Sequence, residues 1–293
     1  MLNIIGRESE KKKLSKILSS SEPEFLAIYG RRRVGKTFLI HEFFHDRGLY
    51  FELIGQKDAG LKMQLENFYQ AVQEAFKPKL PIKKPDSWKE ALSILTTLVE
   101  AQPGGKKIIL FFDELPWLAT KRSGLLQALE YEWNSKWSRN NNIKLIVCGS
   151  AASWVLEKLI QAKGGLHNRI TDTIHLQPFT LGESSRYLKS RGVKLKPLQI
   201  LELYMAIGGI PHYLRQVEKG KSSTQIINSL CFHKDGFLFT EFTRLFQSLF
   251  DHADIHNKII YEIGKKGMVY SEGTCLKQPV IKAAALSKNG CRN

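Results

Sequence analysis

Glycine, lysine and threonine residues near the start of the chain form its strongest chemical pattern. Residues 30–37 read Gly-Arg-Arg-Arg-Val-Gly-Lys-Thr, with an apolar run before them and a run of helical spacing after them. Glycines at positions 30 and 35 permit a tight loop whose backbone N–H groups face phosphate oxygens. Lys36 can reach β- and γ-phosphates, and the Thr37 hydroxyl suits Mg²⁺. This Walker A pattern predicts binding of a nucleoside triphosphate with Mg²⁺; the alternative is a glycine turn before a cationic helix.

Three consecutive arginines lie inside this loop. The sequence leaves open whether their side chains contact phosphate, cover the surface of the loop or contact a partner. We include all three in the predicted nucleotide-binding segment, which comprises Gly30, Arg31, Arg32, Arg33, Val34, Gly35, Lys36, Thr37 and Phe38.

Two adjacent acids follow a continuous apolar run at residues 108–112. Such a run is typical of a strand buried on both faces, and it brings Asp113 and Glu114 to the strand's C-terminal end. We expect Asp113 to hold Mg²⁺, usually through water, and Glu114 to polarise the attacking water. The alternative is a strand followed by a polar turn.

Two further residues could act on the γ-phosphate. Ser150 follows another apolar run, at residues 143–148, and could sense this phosphate, end the strand and cap the next helix, or do both. Arg169 lies in a loop, where it could stabilise charge during phosphoryl transfer or remain solvated. The predicted catalytic residues are Lys36, Glu114 and Arg169, and the predicted metal ligands are Thr37 and Asp113.

Strand-like and helix-like segments alternate over the first part of the chain. Apolar runs at residues 24–29, 49–54, 108–112, 143–148 and 173–176 alternate with helical periodicity, which predicts a parallel sheet with helices on both faces. After residue 178 the segments have helical length only. We therefore predict an α/β core at 1–178, a helical domain at 179–252 and a poorly ordered region at 253–293.

The composition is that of a globular protein with an unusually basic balance. Lysine and arginine number 44 against 28 acids, giving a net charge of +16. This surplus favours contact with a polyanion, either nucleic acid or a membrane surface; the alternative is a basic enzyme without such a partner. The sequence contains no run of about 18 apolar residues, so it predicts no membrane span, and no signal peptide is evident. The four cysteines are widely spaced, which favours a reducing, cytoplasmic setting.

Several motifs together resemble the archaeal-type ATPase family of the STAND class, within the AAA+ superfamily. They are Ile-Ile-Gly-Arg-Glu-Ser-Glu at 4–10, the Walker A loop, Asp-Glu-Leu-Pro at 113–116, Cys-Gly-Ser at 148–150 and Gly-Gly-Ile-Pro-His-Tyr-Leu at 208–214. The resemblance covers residues 3–250. It implies a P-loop NTPase αβα sandwich followed by an all-helical lid, with ATP and Mg²⁺ as cofactors.

The resemblance also implies an adenine site. Gly6 and Arg7 would line the adenine end of the nucleotide, and Pro211 would close over the base from the lid. From the residues alone, the Gly-Gly-Ile-Pro segment reads only as a helix C-cap followed by a proline at a helix start. Relatives commonly continue into a winged-helix domain and a nuclease-like domain. Here residues 259–267 resemble only the first helix of a winged-helix domain, and we interpret the C-terminal region as truncated or degenerate.

The leading functional hypothesis is a slow ATPase in which ATP closes the lid and hydrolysis releases it. An alternative is a nucleotide-binding module that acts through protein or DNA contacts without significant turnover. A third is a non-functional remnant of a longer switch protein. The expected partners are ATP and ADP, DNA bound weakly and without sequence preference, and a protein partner or a second copy of the chain.

Overall fold

The computed structural model describes residues 4–160, 169–239, 241 and 258. The chain divides into two compact units, 1–223 and 224–293. In the second unit, the described residues contain a π-helical segment, Asn228–Phe232, followed by a turn in which Leu238 N–H donates to Leu230 O at 2.9 Å.

A five-stranded parallel sheet forms the centre of the first unit. Its strands are β1 (Glu24–Tyr29), β2 (Leu49–Ile54), β3 (Ile108–Asp113), β4 (Ile143–Gly149) and β5 (Asp172–His175), in the order β2-β3-β4-β1-β5. The predicted α/β fold class is confirmed. The fifth strand lies one residue earlier than the apolar run indicated.

Helices follow most of the strands. They are α1 (Glu8–Ser19), α2 (Lys36–Phe44), α3 (Leu61–Phe76), α4 (Trp88–Glu100), α5 (Leu115–Leu118), α6 (Leu125–Ser135), α7 (Ala152–Val155), α8 (Leu181–Ser190), α9 (Pro197–Ile207), α10 (Pro211–Leu214) and α11 (Ser223–Ile227). In the part of the chain that the structure describes, no helix has both the length and the hydrophobicity needed to cross a membrane.

The sheet separates two apolar cores. Along β3, Leu110 and Phe112 belong to the core under α3, α4 and α6, whereas Ile109 and Phe111 belong to the core under α1 and α2. Side chains of a strand alternate between its two faces, so an uninterrupted apolar run covers both. Every residue of β3 is buried, and the strand therefore carries Asp113 to the C-terminal edge of the sheet.

Residues 179–223 contain helices and no strand, and they belong to the same compact unit as the sheet. The domain boundary at residue 178 stays a prediction. The predicted poorly ordered, winged-helix-like remnant at 253–293 lies outside the described residues, Lys258 excepted.

Candidate functional site

A cavity of about 660 Å³ lies beside the loop that joins β1 to α2. It combines the N-terminal segment, the loop, the residue after β3 and the helices α8 and α10. Its lining residues are Ile4, Ile5, Arg7, Arg32, Arg33, Val34, Gly35, Lys36, Thr37, Phe38, Leu39, Glu114, Phe179, Tyr187, Pro211, His212 and Arg215. Five of them are lysine or arginine and one is a carboxylate, which suits a polyanionic ligand.

Two glycines permit the path of the loop for different reasons. A Cβ on Gly30 would lie 2.3 Å from the carbonyl oxygen of Leu176, so any side chain would collide with the backbone after β5. Gly35 has φ of 92°, a conformation that favours glycine, and a Cβ there would have open space around it. Gly35 also precedes α2 as its N-cap without a side-chain capping bond, which leaves the first N–H groups of α2 available to an anion.

Lys36 points into the loop that precedes it. Its ammonium donates to the carbonyl oxygens of Gly30 and Arg31, each at 3.0 Å, and only 6% of the residue is exposed. A cation held by two neutral carbonyls keeps its charge uncompensated. This arrangement suits an ammonium that exchanges these partners for phosphate oxygens.

Thr37 and Asp113 meet across 76 positions of sequence. The Thr37 hydroxyl donates to Asp113 Oδ2 at 2.5 Å. Asp113 is buried and its other oxygen, Oδ1, accepts from the N–H of Glu114 at 2.9 Å. Both oxygens predicted to hold the metal therefore lie together at the edge of the sheet.

Ser150 binds the carboxylate of Glu114. The N–H and the hydroxyl of Ser150 both donate to Glu114 Oε2, at 3.1 and 2.8 Å. The contact arises because β3 and β4 are neighbours, so the residues that follow them share one edge. Glu114 adopts left-handed backbone angles, φ 47° and ψ 48°, which are unusual for a side chain of this kind.

Arg7 is almost fully buried and bonds to protein groups on several elements. Its guanidinium donates to Val34 O at 3.1 Å and to Gln177 O at 2.6 Å, and it lies 4.6 Å from the ring centre of Phe179. Its own N–H donates to Glu183 Oε1 at 2.7 Å. Burial lowers the pKa of Arg7, with Glu10 and Glu183 opposing the shift.

A side chain at position 6 would displace the Glu183 carboxylate and would strain the backbone. A Cβ on Gly6 would lie 2.8 Å from Glu183 Oε1, and Gly6 has φ of 68°. Glu183 also closes the capping box of α8 with Thr180. Burial would raise the pKa of Glu183, but hydrogen bonds from the backbone N–H groups of Arg7 and Thr180 hold it below its usual value.

The Gly-Gly-Ile-Pro turn packs against Phe179, the residue that follows the predicted domain boundary at 178. Phe179 N–H donates to Gly209 O at 2.7 Å, and a Cβ on Gly209 would lie 1.9 Å from Phe179 O. The hydroxyl of Tyr204 donates to the same carbonyl of Phe179 at 3.1 Å. Pro211, at the first position of α10, thereby comes to the cavity wall.

Some predicted residues lie apart from the cavity lining. Arg169 and Arg31 are exposed and are absent from the lining. Gly6, Gly30, Asp113 and Ser150 are also absent from it. Arg32 and Arg33 do line it, and the Arg32 guanidinium lies 5.3 Å from the ring centre of Trp117.

The sequence interpretation missed several lining residues. Phe179 and Tyr187 contribute aromatic rings with centres 5.7 Å apart, and Arg215 contributes a cation from beyond α10. Arg215 had a signal, since it stands four positions after Pro211 and so shares a helical face with it. The two aromatic residues had none, because a lone aromatic residue at a domain edge usually belongs to a core.

Comparisons with known proteins find relatives in sequence and in fold. The chain is 28% identical over 214 residues to an uncharacterized protein of Methanocaldococcus jannaschii, and the match covers 73% of this chain and 44% of that protein. This chain therefore spans less than half of the length of that relative.

Two solved structures share the fold. A Walker-type ATPase of Pyrococcus abyssi has a TM-score of 0.60 at 22% identity, over 98% of this chain and 89% of that chain. The ORC2 protein of Aeropyrum pernix, solved in ADPNP–ADP complexes, has a TM-score of 0.58 at 17% identity, over 98% and 83%. Residues 4–217 match the family described as "ATPase domain predominantly from Archaea". The chain belongs to this family of P-loop ATPase domains.

Proposed function

We propose that this chain binds ATP with Mg²⁺, hydrolyses it slowly and uses the cycle as a conformational switch of the STAND class. The observation that carries the proposal is the 2.5 Å bond between Thr37 and Asp113, beside a cationic cavity into which Lys36 and Glu114 open. A phosphate-binding loop, a pair of metal-binding oxygens and an acid for water are thus assembled at one edge of the sheet.

Phosphate binding falls to the loop and to Lys36. The N–H groups around Gly35 and at the start of α2 receive the β-phosphate, and Lys36 leaves the carbonyls of Gly30 and Arg31 for the β- and γ-phosphates. Arg33 and Arg215 add positive charge from two sides of the cavity. Arg169 keeps its predicted catalytic role only as a prediction from sequence, since it is exposed and outside the lining.

The donor set fits Mg²⁺. Thr37 Oγ1 and Asp113 Oδ2 are hard oxygen ligands, and among the described residues no group of three or more His, Cys, Asp or Glu side chains could hold a metal. Mg²⁺ takes few protein ligands and completes its shell with phosphate and water oxygens, so two protein oxygens suffice. The ion, when bound, neutralises charge on the phosphates.

Hydrolysis requires a water molecule that is oriented for attack, and we assign the orienting role to Glu114. Its Oε2 is held by Ser150, so Oε1 is the atom left to accept a hydrogen bond from the water. Ser150 thereby fixes the direction of the carboxylate. Glu114 is the acid of the described cavity lining, and in this proposal it orients the water that attacks the γ-phosphate.

The base end of the cavity has apolar and aromatic walls. Ile4, Phe179, Tyr187 and Pro211 are among the residues that line the cavity, and we assign them to the flat purine because their side chains are apolar or aromatic. Arg7 supports this wall from behind through Val34 and Gln177. Because α8, α10 and the loop all line one cavity, a bound nucleotide would touch each of them and could report its phosphate state to the helical region.

Lys36→Ala tests the proposal. We expect the dissociation constant for a fluorescent ATP analogue to rise about 30-fold or more, corresponding to about 2 kcal/mol for a charge-assisted contact. Phosphate release should fall to background. Lys62→Ala, an exposed lysine on α3, serves as the matched control. Unchanged binding by Lys36→Ala would reject the nucleotide site.

A second candidate function is nucleotide binding without significant turnover. It is favoured by the two bonds that Ser150 makes to Glu114, because an acid already paired is a weaker acceptor for water. Phosphate release by the purified protein, measured with and without DNA, separates the two. Weak DNA binding and a protein partner or second copy stay predictions from charge and resemblance. A reducing cytosol fits the free Cys148 and Cys231.

A further inference from the structure

The backbone turn that carries Glu114 is contacted from the side opposite Ser150. Gly55, just after β2, donates its N–H to Asp113 O at 2.9 Å. A Cβ on Gly55 would lie 2.5 Å from Glu114 O and 3.2 Å from Trp117 Cβ. The chain after β2 therefore packs directly against the turn, with no space for a side chain between them.

Gln64 joins these two segments. It lies on α3 and is only 2% exposed. Its amide nitrogen donates to Gln56 O at 2.7 Å and to Trp117 O at 3.2 Å, while its amide oxygen accepts from Gln56 N–H at 3.2 Å. One buried side chain thus uses two donors and one acceptor to bind Gln56 and Trp117.

Trp117 connects this arrangement to the phosphate loop. The guanidinium carbon of Arg32 lies 5.3 Å from the centre of the Trp117 ring. The backbone N–H of Trp117 donates to Glu114 O at 2.8 Å. The position of Trp117 therefore depends on Gln64 at its carbonyl, on Arg32 at its ring and on Glu114 at its N–H.

We infer that Gln64 is a positioning residue for Glu114, acting through Trp117 and the segment after β2. Glu114 has left-handed backbone angles, which persist only where the surroundings hold them. Ser150 holds the carboxylate, and Gln64 holds Trp117, whose backbone N–H donates to the carbonyl oxygen of Glu114. This inference rests on the proposed function, in which Glu114 orients the attacking water.

The chemistry of the amide makes the inference testable. Methionine matches the length of glutamine but can neither donate to Trp117 O nor accept from Gln56 N–H. Glutamate keeps the shape and the acceptor, but the ionised form cannot donate. A protonated glutamate regains one donor, and burial raises the pKa of a carboxyl group.

The experiment compares Gln64→Met and Gln64→Glu with Gln70→Met, a matched change at an exposed position of the same helix. We expect kcat for ATP to fall about 10- to 100-fold in both Gln64 variants, because a displacement of about 1 Å at a reacting group has effects of this size. KM and the dissociation constant of a fluorescent ATP analogue should change less than about threefold. The kcat of Gln64→Glu, divided by the kcat of the wild type at the same pH, should rise as pH falls, because the protonated glutamate regains a donor.

Three results would overturn the inference. One is unchanged kcat in a folded Gln64 variant, with folding judged by thermal unfolding. Another is a fall in kcat without any pH-dependent recovery in Gln64→Glu. The third is failure of both variants to fold, which would make Gln64 a residue of the fold alone. If the wild type releases no more phosphate than Lys36→Ala, the proposed function fails first. If Glu114→Gln abolishes turnover while Gln64→Met does not, only this inference fails.

Discussion

Arg7 Nη2 donates to the carbonyl oxygen of Val34 at 3.1 Å, which bonds a residue ahead of the first helix to the phosphate loop. The same guanidinium reaches Gln177 O after β5, and the N–H of Arg7 reaches Glu183 on α8. A single buried residue therefore connects the N-terminal segment, the phosphate loop and the helical region. Arg7 lines the cavity, and its hydrogen bonds to Val34 and Gln177 also hold neighbouring segments in place.

Arg7→Met should destabilise the protein, because it leaves the carbonyls of Val34 and Gln177 without their donor inside the fold. We expect the free energy of unfolding to fall by about 2 kcal/mol or more. Urea denaturation measures this, with Lys12→Met, an exposed position of α1, as the control. Equal midpoints for Arg7→Met and the wild type would show that these bonds contribute nothing net.

Ser150 and Glu114 should act as one unit in hydrolysis. Glu114→Gln keeps the shape but cannot polarise water, so ATP should still bind while phosphate release falls by about 10²-fold or more. Ser150→Ala should lower phosphate release by about tenfold in the wild-type background and have no further effect in Glu114→Gln, because groups that act through one another are not additive. Ser93→Ala, an exposed serine of α4, is the control. Independent, multiplicative effects would mean that Ser150 acts on something other than Glu114.

Nucleotide should protect the helical region as well as the loop. Arg7 and Pro211 line one cavity, so a ligand in it stabilises both by mass action, by about 2.7 kcal/mol at a hundredfold excess over its dissociation constant. Hydrogen exchange should therefore slow at residues 4–10 and 205–214 as well as at 30–40. The measurement uses Glu114→Gln with ATP and Mg²⁺, to prevent turnover. Protection confined to 30–40 would leave Pro211 as a helix-start residue only.

Lys144 should make stability depend on pH. It is fully buried at the start of β4, where its ammonium donates to the carbonyls of Ser20, Glu22 and Asn141. Burial, with the charge of Lys107 in addition, lowers its pKa to about 8. Between that value and the ordinary lysine pKa near 10.4, the unfolded chain binds more protons than the folded one, so the contribution to stability rises with pH.

The matched variant isolates this effect. Relative to Lys144→Met, the wild type should gain stability between pH 7.5 and 9.5, as measured by urea midpoints at both values. The comparison cancels the other lysines and tyrosines, which titrate in both proteins. A difference between the two proteins that shrinks as pH rises would contradict the expected sign.

The local pattern of residues predicted much of the fold and part of the site. Residues 108–112 predicted a strand buried on both faces, because an uninterrupted apolar run puts apolar side chains on both faces of a strand. Its side chains do belong to the two cores on either side of the sheet. The loop around Gly35 was readable because its φ of 92° favours glycine. Strand, loop and helix succeed one another directly, so the positions of Lys36 and Thr37 follow from short-range geometry. The left-handed conformation of Glu114, by contrast, had no sequence signal.

The tertiary structure decided which distant residues meet. Arg7 and Glu183 are 176 positions apart, and Ser150 reaches Glu114 only because β4 lies beside β3 in the sheet. Periodicity within a segment carries no information about such pairs, because strand order and helix docking arise from the packing of the whole unit. For the same reason the sequence did not predict that Phe179 lines the cavity. Arg169, for which the sequence left open a role at the γ-phosphate, is exposed and outside the cavity lining.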